Sequence, residues 1–268
     1  MQILTEILKT LPDGEVADVR IGLHWTAVVV RVDGGLHCGL ASTLSAPHTH
    51  GMEPSILQAG RLAELSASEL AVMALQEHPV RASLGLAAIN ALLAAMNALL
   101  ATTNALLPQS QTWVEENAED LIARLGAGKR VVLVGHFPFV PALRPRVGEL
   151  IVLEQNPGPG DLPAEDAGRV IPKADLVAIT AMTIANRTLD GLLRLRSPHA
   201  SAILLGPSTP LSPLFFDYGI DVLSGAVVTD IDAVLRAVSQ GAGFRQVHRA
   251  GVRLLNIIKP NQTFSDIL

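Results

Sequence analysis

The chain has 268 residues, a formal net charge of −5 and 17% charged residues. Its hydrophobic content of 49% supplies a sizeable core and excludes disorder, and no basic cluster is present to track a phosphate backbone, which excludes nucleic acid as a partner. The single cysteine, Cys38, excludes an intrachain disulfide and suits a reducing, cytoplasmic compartment.

Residues 3–11 carry apolar side chains at positions 3, 4, 7, 8 and 11, a helical stripe that Pro12-Asp13-Gly14 closes. Residues 16–32 predict two strands and residues 36–40 a third, a small antiparallel meander with a turn at Asp33-Gly34-Gly35. Residues 42–60 show neither period and read as a long loop, the kind of segment that tends to carry function. His48 and His50 lie in it, but with His24, His37 and Cys38 they match no recognised metal-ligand spacing. Ser66 and Glu69 predict a capped helix, broken by Pro79.

A second helix is expected over 80–107. Asn-Ala-Leu-Leu recurs in it at 90–93, 97–100 and 104–107, and the seven-residue period keeps the three asparagines on one side. Mean hydropathy is +0.37, and residues 84–107 are long enough to span a bilayer. Asn90, Asn97, Asn104, Thr102 and Thr103 are costly in lipid, so a buried helix with no membrane is expected. Its far end is available for a homo-oligomer contact.

Pro108-Gln109-Ser110-Gln111-Thr112 marks the domain boundary, dividing the chain into residues 1–108 and 109–268. A helix over 112–125 is expected, with Thr112 and Glu115 as a capping box. Apolar runs follow at 131–134, 150–153, 176–179, 202–205 and 222–223, each ending in polar, glycine or proline residues. Strands alternating with helical segments imply an α/β domain with a parallel sheet and helices on both faces. Ligands in that architecture sit at the carboxyl ends of the strands, so these loops should converge on one crevice. Residues 161–170 read as a weak helix, Asn186 as the cap of a helix over 188–196, and Pro210 as the first turn of another helix. Asp230 caps a helix over 231–240, and residues 244–247 with 252–258 read as a closing hairpin or edge strands.

The candidate chemistry follows the central run. His136, at the end of residues 131–134, can act as a metal ligand or an acid–base group. Glu154, about twenty residues on, stands where a ribose-binding acid would, but the glycine fingerprint of dinucleotide enzymes is absent at Gly135-His136-Phe137-Pro138. Thr180, Thr183 and Asn186, with Gly206, Ser208 and Thr209, form a hydroxyl-rich rim suited to an anionic or polyhydroxylated ligand. No Ser-His-Asp order, Walker loop or nucleophile elbow is present.

The stretches Val134-Gly135-His136-Phe137-Pro138-Phe139, Thr180-Ala181-Met182-Thr183-Ile184-Ala185-Asn186-Arg187 and Gly206-Pro207-Ser208-Thr209-Pro210 resemble the signatures of a family described as heavy-metal chelation proteins. Gly22-Leu23-His24-Trp25-Thr26 and Ala87-Ala88-Ile89-Asn90 resemble its N-terminal patterns. The resemblance implies a smaller α+β enolase N-terminal-like domain followed by a Rossmann-like parallel sheet domain, with a site between them. It places Gly135, Phe137, Trp25, Thr26 and Asn90 among the ligand-binding residues, with His136 and Glu154 as catalytic candidates. His136 is also the candidate ligand for a transition metal. Ala181 departs from the family pattern, where a glycine is expected. Two function classes stay open: an enzyme handling a metal or a metal-chelating small molecule, and a non-catalytic protein binding a nucleotide-like or other anionic ligand.

Overall fold

The computed structural model of the chain describes residues 2–45, 54–102 and 113–260. It opens with α1 (Gln2–Thr10), which buries Ile3, Leu4 and Ile7 as its stripe requires. Strands β1 (Glu15–Ile21), β2 (Trp25–Val32) and β3 (Gly35–Ser42) form the antiparallel meander in that order. Asp33 and Gly34 turn the second hairpin with φ of 47° and 80°, the positive pair that matches the twist of the flanking strands.

Six successive residues of β2, Trp25 to Val30, are buried, so this sheet is covered on both faces. Val28 and Val30 belong to the core shared with the first long helices. Ala27 and Val29, with Trp25, Cys38 and Leu40, instead pack against Val234, Val238 and Val247 from the other end of the chain. Each such aliphatic side chain contributes about 1.5–3 kcal/mol on burial.

Helix α2 (Ala67–Val72) starts at Ser66, whose hydroxyl accepts from the Glu69 N–H while the Glu69 carboxylate accepts from the Ser66 N–H. Helix α3 (Pro79–Thr102) follows. It is long and apolar enough to cross a membrane by length and composition, and 67% of that stretch is buried within the fold. It lies so close to β3 that a Cβ on Gly39 would stand 2.2 Å from the Ala87 carbonyl oxygen, a position only glycine can fill.

The second half contains β4 (Trp113–Val114), α4 (Ala118–Leu125), β5 (Arg130–Val134), α5 (Val140–Leu143), β6 (Glu149–Glu154), β7 (Leu162–Pro163), α6 (Ala167–Val170) and β8 (Leu176–Thr180). It continues with α7 (Met182–Ala185), α8 (Leu189–Leu195), β9 (Ser201–Leu205), β10 (Val222–Val228), α9 (Ile231–Ser239), α10 (Phe244–Gly251) and β11 (Val252–Ile258). Its eight-stranded sheet runs β4-β11-β10-β9-β8-β5-β6-β7. The stretch from β10 to β7 is parallel, whereas β11 pairs antiparallel with β10, and β4 antiparallel with β11.

Strand β5 is interior, between β6 and β8, and its side chains divide with period two. Val131 and Leu133 pack with Leu121, Ile122 and Leu125 of α4 and with Leu143 of α5. Val132 faces the opposite core, which also holds Ile89 and Leu92 of α3. The chain leaves β5 toward β6 on one side and later returns to place β8 on the other. That reversal of strand order makes the carboxyl ends of β5 and β8 the switch point of the sheet.

Several expected elements differ. Residues 244–247 belong to α10 and not to a hairpin: Phe244 and Val247 pack with the α9 side of the meander, and their i, i+3 spacing is helical. The helix expected over 112–125 starts only at Ala118, because Asn117 caps it by accepting from the Asp120 N–H, and Trp113–Val114 is a short strand. Pro210 starts no helix; a 3-10 helix begins at Pro213 and runs to Tyr218. Residues 162–173 form a short strand and short 3-10 and α turns. The expected boundary at 108–109, Thr112, Asn104, His48 and His50 lie outside the described residues.

Candidate functional site

Strand β5 delivers its chain to Gly135, which has φ of 101° and lies so near β8 that a Cβ there would stand 3.0 Å from Thr180 Cγ2. This tight crossing turns the next residue, His136, outward at the switch point. Its side chain is 45% exposed. The His136 N–H donates to Glu154 Oε2 over 2.8 Å, and Glu154 Oε1 accepts from the Gln155 N–H at 2.7 Å. The carboxylate at the end of β6 thus fixes the backbone of two strand-end loops.

The His136 ring has a different partner. Nδ1 lies 2.8 Å from Oδ2 of Asp161, whose side chain is only 2% exposed. The same oxygen accepts from the Gly158 N–H at 3.1 Å. An ionised Asp161 can only accept, so a neutral ring that donates to it carries its proton on Nδ1 and its lone pair on Nε2. Asp161 was not among the expected site residues. The signal that finds it is Pro157-Gly158-Pro159-Gly160, a breaker run with Gly160 at φ of 87°, which folds the chain back beneath the histidine.

Phe137 sits beside this pair, half-buried and stacked on Phe139 with ring centroids 5.1 Å apart. On the neighbouring strand end, the polar groups are turned inward on their own loop. Thr180 Oγ1 accepts from the Met182 N–H, buried Thr183 donates to the Thr180 carbonyl at 2.6 Å, and Asn186 Oδ1 accepts from Thr188 N–H and Oγ1.

The remaining expected residues gather elsewhere, at a seam between the meander and the loop after β9. Gly206 has φ of 111° and opens that loop. Ser208 and Thr209 are each 2% exposed. Ser208 Oγ accepts from the Ser42 N–H at 2.9 Å and has two acceptors for its own proton, Ser42 Oγ and Met182 Sδ, each at 3.5 Å. Asn90 on α3 donates to the carbonyls of Leu40 and Ser208. Thr26 is fully buried and shares a hydrogen bond with Thr43, while Trp25 packs 5.7 Å from Phe244. Ser208, Asn90 and Trp25 join the two halves of the molecule. One link toward the histidine runs through Met182 and Thr180.

The donor set can be tested against a heavy-metal ion. Such ions favour thiolate and thioether ligands. Cys38 is buried on β3 among apolar side chains, and burial pushes its thiol up to about 12. Among the described residues no three His, Cys, Asp or Glu side chains are grouped to hold a metal. At His136, Glu154 and Asp161 already accept backbone N–H groups, and the one ring nitrogen left over is Nε2. These residues do not fit a bare heavy-metal ion. Two recesses, one of about 620 Å³ lined by Glu115, Glu116, Asp120, Arg124 and Arg146, and one of about 440 Å³ beside Asp13 and Arg31, contain none of these groups.

Two family models match the chain. That of DUF364 covers residues 117–256 and that of DUF4213 residues 4–93, and both carry the description "Putative heavy-metal chelation". The chain is 26% identical to an uncharacterized protein of Methanocaldococcus jannaschii over 230 residues, 83% of this chain and 82% of the relative. Its structure resembles a DUF364-family protein of unknown function from Desulfitobacterium hafniense, with a TM-score of 0.77, 28% identity, and 96% and 98% of the two chains covered. A second, from Pyrococcus horikoshii, shares the fold with a TM-score of 0.74 at 22% identity over 95% and 97% of the chains.

Proposed function

The chain belongs to the DUF364 family, and on that premise we propose that it binds a small molecule at the carboxyl ends of β5 and β8, around His136. A metal reaches this site as a complex already held by that molecule, and not as a bare ion. The observation that carries this reading is the exposed imidazole of His136 anchored through Nδ1 on the buried carboxylate of Asp161. An exposed ring held in one orientation by a buried partner is suited to meeting a ligand, because its geometry is set before the ligand arrives. Its position at the switch point supports the same conclusion, since that is where open α/β sheets bind ligands. The flanking Phe137 offers the site an apolar edge.

The test is native mass spectrometry of freshly purified protein, with metal analysis of the same sample. A retained small molecule, with any metal in a fixed ratio to it and both lost in His136→Ala, is the expected result. Stoichiometric binding of a bare metal ion that survives His136→Ala would overturn the proposal. The anionic-ligand alternative rested on the loop at Ser208 and Thr209. Ser208 there accepts from the Ser42 N–H and has Met182 Sδ at 3.5 Å, both within the fold, while the buried Thr209 hydroxyl has no hydrogen-bond partner among the described residues.

A further inference from the structure

We propose that Asp161 is the positioning residue that makes His136 a proton acceptor, and that the ligand of this site carries a weakly acidic O–H or N–H. This rests on the reading of His136 as the centre of the ligand site. Two donors converge on one oxygen of Asp161. Its Oδ2 receives both the Gly158 N–H at 3.1 Å and the His136 ring at 2.8 Å, with its side chain 2% exposed. A carboxylate can only accept there, so the imidazole is held as the Nδ1–H tautomer.

The consequence falls on the other ring nitrogen. Nε2 keeps its lone pair on a side chain that is 45% exposed, and the Glu154 contact to the His136 N–H keeps the backbone from swinging it away. When a ligand O–H or N–H meets it, the proton moves to Nε2 and the electron pair of the broken bond stays on the ligand atom. The resulting imidazolium is stabilised by the Asp161 carboxylate. A small molecule that chelates a cation must lose such a proton first, which fits this base to the ligand class proposed above.

The tautomer can be read without any ligand. The full chain labelled with ¹⁵N-histidine has eight histidine rings, and that of His136 is the one missing in His136→Gln. At about pH 8.5, some two units above the ordinary histidine value, long-range ¹H–¹⁵N correlations distinguish Nδ1–H from Nε2–H. The wild-type ring is expected as Nδ1–H. Asp161→Asn and Asp161→Ala should each move the ratio roughly tenfold or more toward Nε2–H, the loss of one charge-assisted hydrogen bond. Glu154→Gln should leave it unchanged. Should Asp161→Ala not fold, Asp161→Asn carries the test alone. A wild-type ring found as Nε2–H, or a ratio unmoved in a folded Asp161 variant, overturns the proposal. Failure of the ligand proposal is distinguishable, since there native mass spectrometry finds no small molecule while the tautomer stays as stated.

Discussion

The backbone N–H of Ser42, at the end of the meander, donates to the hydroxyl of Ser208, 166 residues later, over 2.9 Å. Asn90 reinforces the joint by donating to the carbonyls on both sides of it, Leu40 and Ser208. Two halves that are distant in sequence are thereby locked at the seam between the meander and the loop after β9.

Ser208→Ala removes the acceptor and leaves a part-buried N–H unmet. The expected loss is about 1–3 kcal/mol, measured by urea unfolding, with ligand retention unchanged in the folded fraction. A variant as stable as wild type would show that water replaces the hydroxyl without cost.

His136 and Asp161 should separate in the same assay. His136→Ala removes a side chain that is 45% exposed and should stay within about 1 kcal/mol of wild type. Asp161→Ala takes a buried acceptor from both Gly158 and the ring and should lose about 1–3 kcal/mol. The reverse order would make the histidine a structural residue.

Gly135 and Gly206 both hold backbone conformations that side chains rarely adopt, with φ of 101° and 111°. Alanine at either should destabilise the fold by about 1–3 kcal/mol. A Cβ at 206 meets nothing within 4 Å, whereas one at 135 meets Thr180 Cγ2 at 3.0 Å. Thr180→Ser deletes that methyl. It should recover part of the loss in Gly135→Ala and none in Gly206→Ala, as a double-mutant cycle would show.

Cys38 gives a pH signature. Burial raises its thiol from 9.0 to about 12, so above pH 9 the unfolded chain releases a proton that the folded chain keeps. The unfolded state then binds fewer protons, and stability falls as pH rises from 9 toward 12, by at most about 1.4 kcal/mol per unit from this group. Cys38→Ala should show a shallower decline over the same range. Native protein should also react with a mercurial reagent only as fast as it unfolds.

Much of the frame was legible in advance. The five apolar runs became β5, β6, β8, β9 and β10, because buried parallel strands must be continuously apolar. Ser66 with Glu69, and Asp230 with Ala233, cap as their side chains dictate. Residues 244–247 misled because Phe244 and Val247 suit either period until α9 supplies the face they cover. His136 was readable as a strand-end residue. Asp161 was not, since its meaning arises only when the Gly-Pro-Gly turn folds it back. Ser208 shows what local sequence leaves out: a hydroxyl at a strand end can face a ligand or a neighbouring segment, and here Ser42 meets it.

The burial of β2 on both faces also has a cost in time. Ala27 and Val29 emerge early in synthesis, but Val234 and Val238, which cover them, lie about 200 residues downstream. At ~5–20 residues per second the interval is roughly 10–40 s, during which a half-finished sheet presents an uncovered apolar face. That face stays uncovered until α9, which starts only at residue 231 of 268, has been made.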